Sequence, residues 1–478
     1  MARYFYVVMV LSLLVACDRR SEEHNKGDAK KGEVAQEQED AMTAIKKART
    51  FYAERPYYER PRDYSEVPEG LGDTDAETCG ACHKAIYEEW KISTHHRAYK
   101  DDAQFMEELK KSSGLTEHSS GDVGWVCVNC HTPTYPQLER LVVDLEDDTL
   151  NKPVYADNPL FDPAQQEDAI TCATCHVKDG KILGPYGSDR APHPVKKEES
   201  LLDERVCASC HQASAQYPEH NLGCFFSTAE EWRQSSYGQK GESCQSCHMP
   251  EVVRKVAEDF DVPERKTRRH WFGGSLIPKK PEFAAELEPL QKVYGSGITF
   301  DLSLRGKEAK FTTSAEPINM PEKHIPEVVS CAKDCMVLKL DIRNNRAGHH
   351  MPTGDPERHI DILVEVHDAN QKLVARAYHV LGSRYAWWPK IKLLQDTRIP
   401  SGEQRELLVS APLPGAEVKY PLSVHVTADK WRMYLDAFEH HQLEGKYVRG
   451  RRFYDAQWLL GEDSALSVVK IEDDGVKD

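Results

Sequence analysis

The chain has 478 residues, with 62 Lys and Arg against 78 Asp and Glu, and a formal net charge of −16. This length predicts two or three domains, and the acidic balance argues against nucleic acid as a partner. After the N-terminus no apolar run approaches the roughly 20 residues that a membrane-spanning helix needs, so the mature protein is predicted to be soluble.

The first residues have the pattern of a bacterial export signal. Arg3 supplies a positive charge, residues 5–14 are largely apolar, and Leu-Val-Ala-Cys at 14–17 resembles a lipobox. We interpret 1–16 as a signal peptide and Cys17 as a lipid-modified N-terminus, which anchors the protein to a bacterial membrane on its periplasmic or cell-surface side. Asp18 resembles signals that retain lipoproteins in the inner membrane. The alternative is an ordinary cleaved signal followed by an incidental cysteine.

Residues 17–70 are predicted to form a charged tether. The stretch Gln-Glu-Gln-Glu-Asp at 36–40 is typical of this segment. Such a composition buries little apolar surface. A helix is predicted within it across residues 40–52.

Ten of the 14 cysteines fall into five C-x-x-C-H units. Two thiols at this spacing can each form a thioether to a porphyrin vinyl group, and the adjacent histidine then ligates the iron. Zinc or disulfides would not explain a histidine after every second cysteine. The sequence therefore predicts five haem c groups with their iron in a domain over residues 71–275. The units are Cys79/Cys82/His83, Cys127/Cys130/His131, Cys172/Cys175/His176, Cys207/Cys210/His211 and Cys244/Cys247/His248.

Three further cysteines lie beyond Cys17 and the five units. Cys331 and Cys335 are close enough in sequence to form a disulfide, while two buried thiols are the alternative. Met336 follows Cys335, so this pair is not a sixth haem unit. Cys224 has no assigned role.

An internal repeat lies within the haem domain. Glu-Glu-Trp-Lys-Ile-Ser-Thr-His at 88–95 matches Glu-Glu-Trp-Arg-Gln-Ser-Ser-Tyr at 230–237. Each copy is predicted to be a helix that packs its tryptophan against a haem, with two ordinary amphipathic helices as the alternative. Tyr237 stands where the first copy has His95.

Each haem iron needs a second axial ligand or keeps an open site, and this choice separates electron relay from catalysis. Four histidines are predicted distal ligands because of their sequence surroundings. His95 follows the first haem unit, His193 is flanked by prolines, His270 precedes two glycines that allow close approach to a porphyrin, and His349 lies in Gly-His-His-Met-Pro-Thr-Gly. The candidates for the fifth iron are His118, His220 and His324.

After a linker at 276–296, the pattern changes to alternating apolar and polar residues. The segments 297–304, 336–342, 360–366 and 422–427 have this period of two, which is typical of strands. They predict an antiparallel β-sandwich over 297–430. The remaining segment, 431–478, is predicted to pack back on the body. The predicted fold class is α+β, with a mainly helical and loop haem domain followed by the sandwich.

Residues 75–275 resemble the multihaem c-type cytochromes related to the nitrifier tetrahaem cytochrome. The resemblance is carried by the first haem unit with Trp90-x-x-Ser93-x-His95, by Ile-Thr-Cys-Ala-Thr-Cys-His at 170–176 leading to Gly-Pro at 184–185, and by Cys-Gln-Ser-Cys-His-Met-Pro at 244–250. The pattern Gly-His-x-x-Pro-Thr-Gly at 348–354 is similar to one in relatives with an extra domain.

This resemblance implies electron transfer through closely stacked haems, mostly with two histidine ligands. The family that it resembles also contains, or is related to, enzymes that act on nitrogen and sulfur compounds. The chain departs from those enzymes, because it has no C-x-x-C-K unit like that of the nitrite-reducing relatives and fewer haem units than the octahaem enzymes.

The sequence therefore predicts an electron carrier between a membrane quinol oxidoreductase, or another cytochrome, and a terminal acceptor. The alternative is an oxidoreductase in which one haem has an open site for a small nitrogen or sulfur compound. Tyr237 motivates this alternative, with Arg233, Lys240, Arg268 and Arg269 nearby to hold an anion. A third hypothesis, which is compatible with the electron carrier, is that the sandwich is a docking module and the protein is a fixed subunit of a larger complex. No catalytic residue is assigned.

Overall fold

The computed structural model describes residues 42–62, 66–115, 121–217, 222–313, 325–387, 390–415 and 417–474. The signal peptide, Cys17 and the fifth-ligand candidates His118, His220 and His324 lie outside the described residues. The fold is α+β, as predicted. Short helices and small sheets come first, and two larger antiparallel sheets follow.

The helices are short, and several of them end at the histidine of a C-x-x-C-H unit. None of those in the described ranges is long and apolar enough to cross a bilayer. Side-chain caps begin several: Asp102 accepts the Phe105 backbone N–H, and Asp162 accepts those of Ala164 and Gln165. The helices are α1 (42–53), α2 (Ala76–Gly80), α3 (Lys84–Lys91), α4 (Ala103–Ser112), α5 (Gly124–His131), α6 (Pro163–Glu167), α7 (Cys172–His176), α8 (Arg205–His211), α9 (Thr228–Gln234), α10 (Ser236–Gln239), α11 (Cys244–His248), α12 (Ala284–Gln291) and α13 (Leu435–His440).

Helix α1 belongs to the body of the protein rather than to a tether. Ile45, Ala48 and Tyr52 are buried, and they pack against a cluster that includes Trp125 and Leu141. Their spacing of three and four residues gives the helix one apolar face. The tether predicted to end at residue 70 is therefore too long at its C-terminal end. The overall charge of this segment hid the apolar face of the helix from an argument based on composition.

Small sheets connect the helices of the region predicted to carry the haems, residues 71–275, which is called the haem region below. All pair antiparallel except β4 and β5, which run parallel. The strands are β1 (Arg140–Leu145) with β2 (Pro153–Asp157), β3 (Val177–Lys178) with β4 (Lys181–Gly184) and β5 (Val195–Lys197), β6 (Ala213–Tyr217) with β7 (Leu222–Phe226), and β8 (Glu251–Arg254) with β9 (Arg265–Arg268).

Two sheets make up the C-terminal region, and both are antiparallel. The three-stranded sheet has the order β10-β11-β15, and the six-stranded sheet has the order β14-β13-β12-β16-β17-β18. Apolar side chains of both sheets meet in one buried cluster, to which Leu340 contributes from β11 and Ile362 from β12. The strands are β10 (Thr299–Glu308), β11 (Cys335–Arg343), β12 (His359–His367), β13 (Leu373–Ala386), β14 (Lys392–Asp396), β15 (Gln404–Pro412), β16 (Leu422–Trp431), β17 (Gly450–Leu460) and β18 (Leu466–Asp473).

The predicted end of the sandwich near residue 430 is wrong. Strands β17 and β18 extend the six-stranded sheet beyond β16. In β17 the residues Tyr454, Ala456 and Trp458 are buried, and the residues between them are partly exposed. This is the pattern of a strand with one face on the core. Much of the segment predicted to pack back on the body therefore belongs to the sheet itself.

Candidate haem sites

One continuous cavity, with a volume of about 2030 Å³, runs through the haem region and reaches the C-terminal sheets. It exceeds the roughly 300–1,000 Å³ of an ordinary small-ligand pocket. Cysteines and the histidine of all five C-x-x-C-H units line it. The five units therefore open onto a single shared interior.

Helical turns give each unit its geometry. In α5, α7, α8 and α11 the helix ends at the unit's histidine, and in the first unit the histidine caps the start of α3. Residues three apart on a helix lie on the same face, so both thiols of a unit point to one side. The ten thiols of the units carry no disulfide, whereas Cys331 and Cys335 are joined by one.

Four of the five unit histidines face a second imidazole across the cavity. His83 faces His193 at a ring-centroid distance of 6.4 Å, and His211 faces His95 at 6.4 Å. His176 faces His270 at 6.3 Å, and His248 faces His349 at 6.2 Å. The four predicted distal histidines are thus the four that the structure brings opposite a unit histidine.

These separations fit an iron atom between the rings. Because a bond between a metal and an imidazole nitrogen is about 2.0–2.1 Å long, an ion held by two imidazoles keeps their centroids roughly 6 Å apart. Rings in direct contact lie much closer, as His131 and Phe105 show at 3.6 Å. The donor set and the cavity therefore fit haem groups attached at the units.

Hydrogen bonds fix the tautomer of several of these imidazoles. Nδ1 of His83 donates to the carbonyl of Val256 at 2.6 Å, and Nδ1 of His176 donates to that of Leu183 at 2.9 Å. His248 makes the same kind of bond to the carbonyl of Gly273. With the proton held on Nδ1, the lone pair of Nε2 is free to bind a metal.

Burial keeps four of the facing imidazoles neutral. It lowers the pKa of His95 to about 3, and the pKa values of His211, His270 and His349 to about 4. Neighbouring imidazoles lower these values further. Neutral imidazole is the form that ligates iron.

His349, which the sequence predicts as a distal ligand, comes from the C-terminal region. It lies in the loop between β11 and β12, and it faces His248 of helix α11. Tyr237, which replaces the repeat's histidine, donates its hydroxyl to the carbonyl of Asn345 in that same loop at 3.0 Å. The last site is therefore built from both regions of the chain.

His131 has different surroundings from the other four unit histidines. Its ring stacks on Phe105 with an interplanar angle of 10°, and its Nδ1 donates to the carbonyl of Ala98 at 2.6 Å. In the described ranges no histidine ring faces it at the spacing of the other pairs.

Charged side chains line the cavity near His131. Lys279 and Asp102 form a buried ion pair, and the Lys279 ammonium lies 3.5 Å from the Tyr447 hydroxyl. Burial lowers the pKa of Lys279 to about 8, and the nearby Arg432 contributes to this. Arg432 is 5% exposed, and its Nε has no hydrogen-bond partner among the described residues. Arg358 also lines the cavity.

These side chains form a charged wall of the cavity, made of Asp102, Lys279, Arg358 and Arg432. Sequence reasoning missed this charged wall, because its members lie far apart in the chain and share no local motif. Three of the four cations that it proposed as anion ligands are already engaged. Arg269 pairs with Glu89, Arg233 with Glu230, and Arg268 donates to two backbone carbonyls.

Comparisons with known proteins found a family model and a solved structure that this chain resembles. Residues 78–154 match the family model described as cytochrome c554 and c-prime. No curated protein matches the chain. The fold is similar to that of a penta-heme cytochrome c552 from Thermochromatium tepidum, with a TM-score of 0.54 and 18% identity, over 80% of this chain and 98% of that one. This chain therefore has the attachment units and the fold of a multihaem c-type cytochrome.

Proposed function

We propose that the protein is a five-haem electron-transfer cytochrome, attached through Cys17 to a bacterial membrane on its periplasmic or cell-surface side. It takes electrons from a quinol oxidoreductase or another cytochrome and delivers them to a terminal acceptor. The observation that carries this proposal is the set of four facing imidazole pairs within one continuous cavity.

The chain contributes attachment, ligation and spacing. Each unit holds one haem through two cysteines, and a bound haem c supplies a one-electron redox centre. The proposed axial pairs are His83 with His193, His211 with His95, His176 with His270, and His248 with His349. If both imidazoles of a pair bound one iron, no coordination position would be left for a substrate, which favours relay over catalysis at these four sites.

The proposed location and partners are supported by the sequence alone. The lipobox-like segment at 14–17 provides the anchor, and the net charge of −16 favours basic redox partners at low salt. Radiolabelled palmitate would be incorporated by the native protein and not by Cys17→Ser. Unchanged labelling of the variant would exclude this anchor.

Haem stoichiometry and low-temperature EPR of the oxidised holoprotein test the central proposal. A pyridine haemochrome assay should give five haems per chain, and EPR should show at least four of them as low-spin. Fewer than five haems, or more than one high-spin haem in the native protein, would contradict it.

A second candidate function is reduction or oxidation of a small nitrogen or sulfur compound at the haem of Cys127, Cys130 and His131. Two observations favour it: the separate surroundings of His131, and the buried cations Lys279 and Arg432 with the partly buried Arg358 in the adjoining wall. A guanidinium or ammonium group there would hold an anionic ligand by charge-assisted hydrogen bonds.

Ligand addition separates the two candidates. If the fifth site is open, the oxidised protein has one high-spin signal, and nitrite, hydroxylamine or sulfite shifts it. The variant Arg358→Met should then weaken binding of the anions nitrite and sulfite more than binding of neutral hydroxylamine. Five low-spin haems that ignore all three compounds would exclude the second candidate.

A further inference from the structure

Two buried glutamates occupy the same place in the two copies of the repeat. Glu89 on α3 is 5% exposed and Glu231 on α9 is 7% exposed. Their preceding neighbours, Glu88 and Glu230, are exposed. The repeat thus pairs one solvent-facing carboxylate with one buried carboxylate in each copy.

Glu89 bonds to the segment that carries His270. One carboxylate oxygen accepts the backbone N–H of His270 at 2.9 Å. Arg254 donates to both carboxylate oxygens, at 2.7 and 3.0 Å, and Arg269 donates at 2.5 Å. The carboxylate therefore fixes the backbone of this distal histidine and ties it to two arginines.

Glu231 does the same for the segment that carries His349. Its carboxylate accepts the backbone N–H of His350 at 3.2 Å and the hydroxyl of Thr353 at 2.6 Å. The other oxygen accepts from Arg398 at 2.9 Å. Both bonds to the loop lie within a few residues of His349.

The tryptophan of each copy bonds to the opposite side of the same site. Trp90 Nε1 donates to the carbonyl of Ile170 at 2.8 Å, and Trp232 Nε1 donates to that of Glu242 at 2.9 Å. Ile170 and Glu242 each stand two residues before the first cysteine of a haem unit, Cys172 and Cys244. Each helix therefore bonds to both the attachment segment and the distal segment of one site.

We propose that Glu89 and Glu231 are positioning residues, each of which sets the place of one distal histidine, His270 and His349 respectively. Trp90 and Trp232 hold the matching attachment segments, so each copy of the repeat sets the geometry of one axial pair. This inference rests on the axial pairs proposed above.

The physical reason is the cost of leaving these groups without an acceptor. Loss of the carboxylate removes the acceptor of the backbone N–H in the distal segment and the anionic partner of partly buried arginines, so the distal segment shifts to find other partners. Outer-shell groups of this kind orient metal ligands, and their loss typically weakens metal binding or activity about 10–100-fold.

EPR of the oxidised holoprotein tests this with matched variants. Glu231→Ala should convert or displace one low-spin signal, and that signal should be the one that His349→Ala abolishes. Glu89→Ala should act likewise on the signal that His270→Ala abolishes. Glu231→Gln and Glu89→Gln keep an acceptor oxygen and should restore most of the native spectrum. Glu88→Ala and Glu230→Ala, at the exposed positions, should leave every signal unchanged.

Two outcomes overturn the inference in different ways. If His349→Ala and His270→Ala each abolish a signal but the glutamate variants change none, the axial pairs stand and the positioning role fails. If the histidine variants change nothing, the proposed axial pairs fail first. If the Glu231→Ala protein does not fold and cannot be purified, the variant Trp232→Phe can be used in its place, because it removes only the hydrogen bond to Glu242. It should displace the same signal, and an unchanged signal would count against the proposal.

Discussion

Lys279 and Asp102 form a buried ion pair in the wall of the haem cavity, where they are 8% and 6% exposed. Burial would raise the pKa of Asp102, but Lys279 and Arg432 outweigh it and the pKa is lowered. The carboxylate is therefore charged at neutral pH, and its partner compensates for the burial of that charge.

Removing one partner leaves the other charge buried. We expect Lys279→Met or Asp102→Asn to lower the free energy of unfolding by about 3–5 kcal/mol, and the double variant to cost less than the sum of the two. Urea denaturation followed by circular dichroism measures this. Lys110→Met, which breaks an exposed pair with Glu107, is the control and should cost less than about 1 kcal/mol. Additive single effects would show that the pair is not coupled.

Glu357 gives the protein a pH-dependent stability. Burial, with the nearby Asp355, raises its pKa from 4.5 to about 7. Because the folded state binds this proton more tightly, the free energy of unfolding falls as the pH rises from about 4.5 to 7, by at most about 3 kcal/mol. Glu357→Gln should remove this slope in urea titrations at pH 5, 6 and 7. The exposed Glu444→Gln should retain it, and an unchanged slope in Glu357→Gln would assign the effect elsewhere.

Local sequence could mark four histidines as candidate distal ligands but could not identify the unit histidines that they face. Prolines beside His193 and glycines after His270 marked these residues, whereas the pairing of His193 with His83 depends on how the loops return to the cavity. The charged wall shows the same limit more strongly. Asp102, Lys279 and Arg432 come from separate segments, and only the folded chain brings them together.

At the scale of elements, alternation decides which strands can be recognised from sequence. Strand β12 buries Ile360, Ile362 and Val364 with partly exposed residues between them, so its period of two is visible. Strand β13 is buried almost continuously from Ala377 to Ser383 because other groups cover its second face. A strand covered on both faces has no alternation to detect, and β13 was not predicted.

The same contrast predicts where substitutions in the sheets are costly. Ile362 is 0% exposed in the core of the six-stranded sheet, whereas Val468 is 60% exposed on its edge strand. Ile362→Ala should lower the free energy of unfolding by about 2–5 kcal/mol, and Val468→Ala should change it by less than about 0.5 kcal/mol. Thermal melts that follow the β-sheet signal of the C-terminal region compare the stabilities of the two variants. Equal effects would show that the core does not lie between the sheets as described.

At the scale of the whole molecule, the two regions differ in what fills their interior. The C-terminal sheets share a large apolar cluster that draws residues from β10 to β17. The largest apolar cluster of the haem region gathers around α1, α5 and β1, at one side of the cavity. The porphyrins would therefore supply much of the packing in the first region, whereas the second region has an interior of its own.

Protein made without haem attachment should reveal this difference. We expect the haem region to stay unfolded, because an empty cavity of this size removes its main packing surface, while the sheets fold. Limited proteolysis with mass spectrometry should leave a protected fragment spanning Thr299–Asp473, and the circular dichroism spectrum should be that of β-sheet. In the same haem-free background, Ile362→Ala should weaken the protection. Full digestion of both regions would show that the sheets depend on the haem region through contacts such as the hydrogen bond from Tyr237 to Asn345. Protection of both regions would show that the protein alone packs the cavity walls.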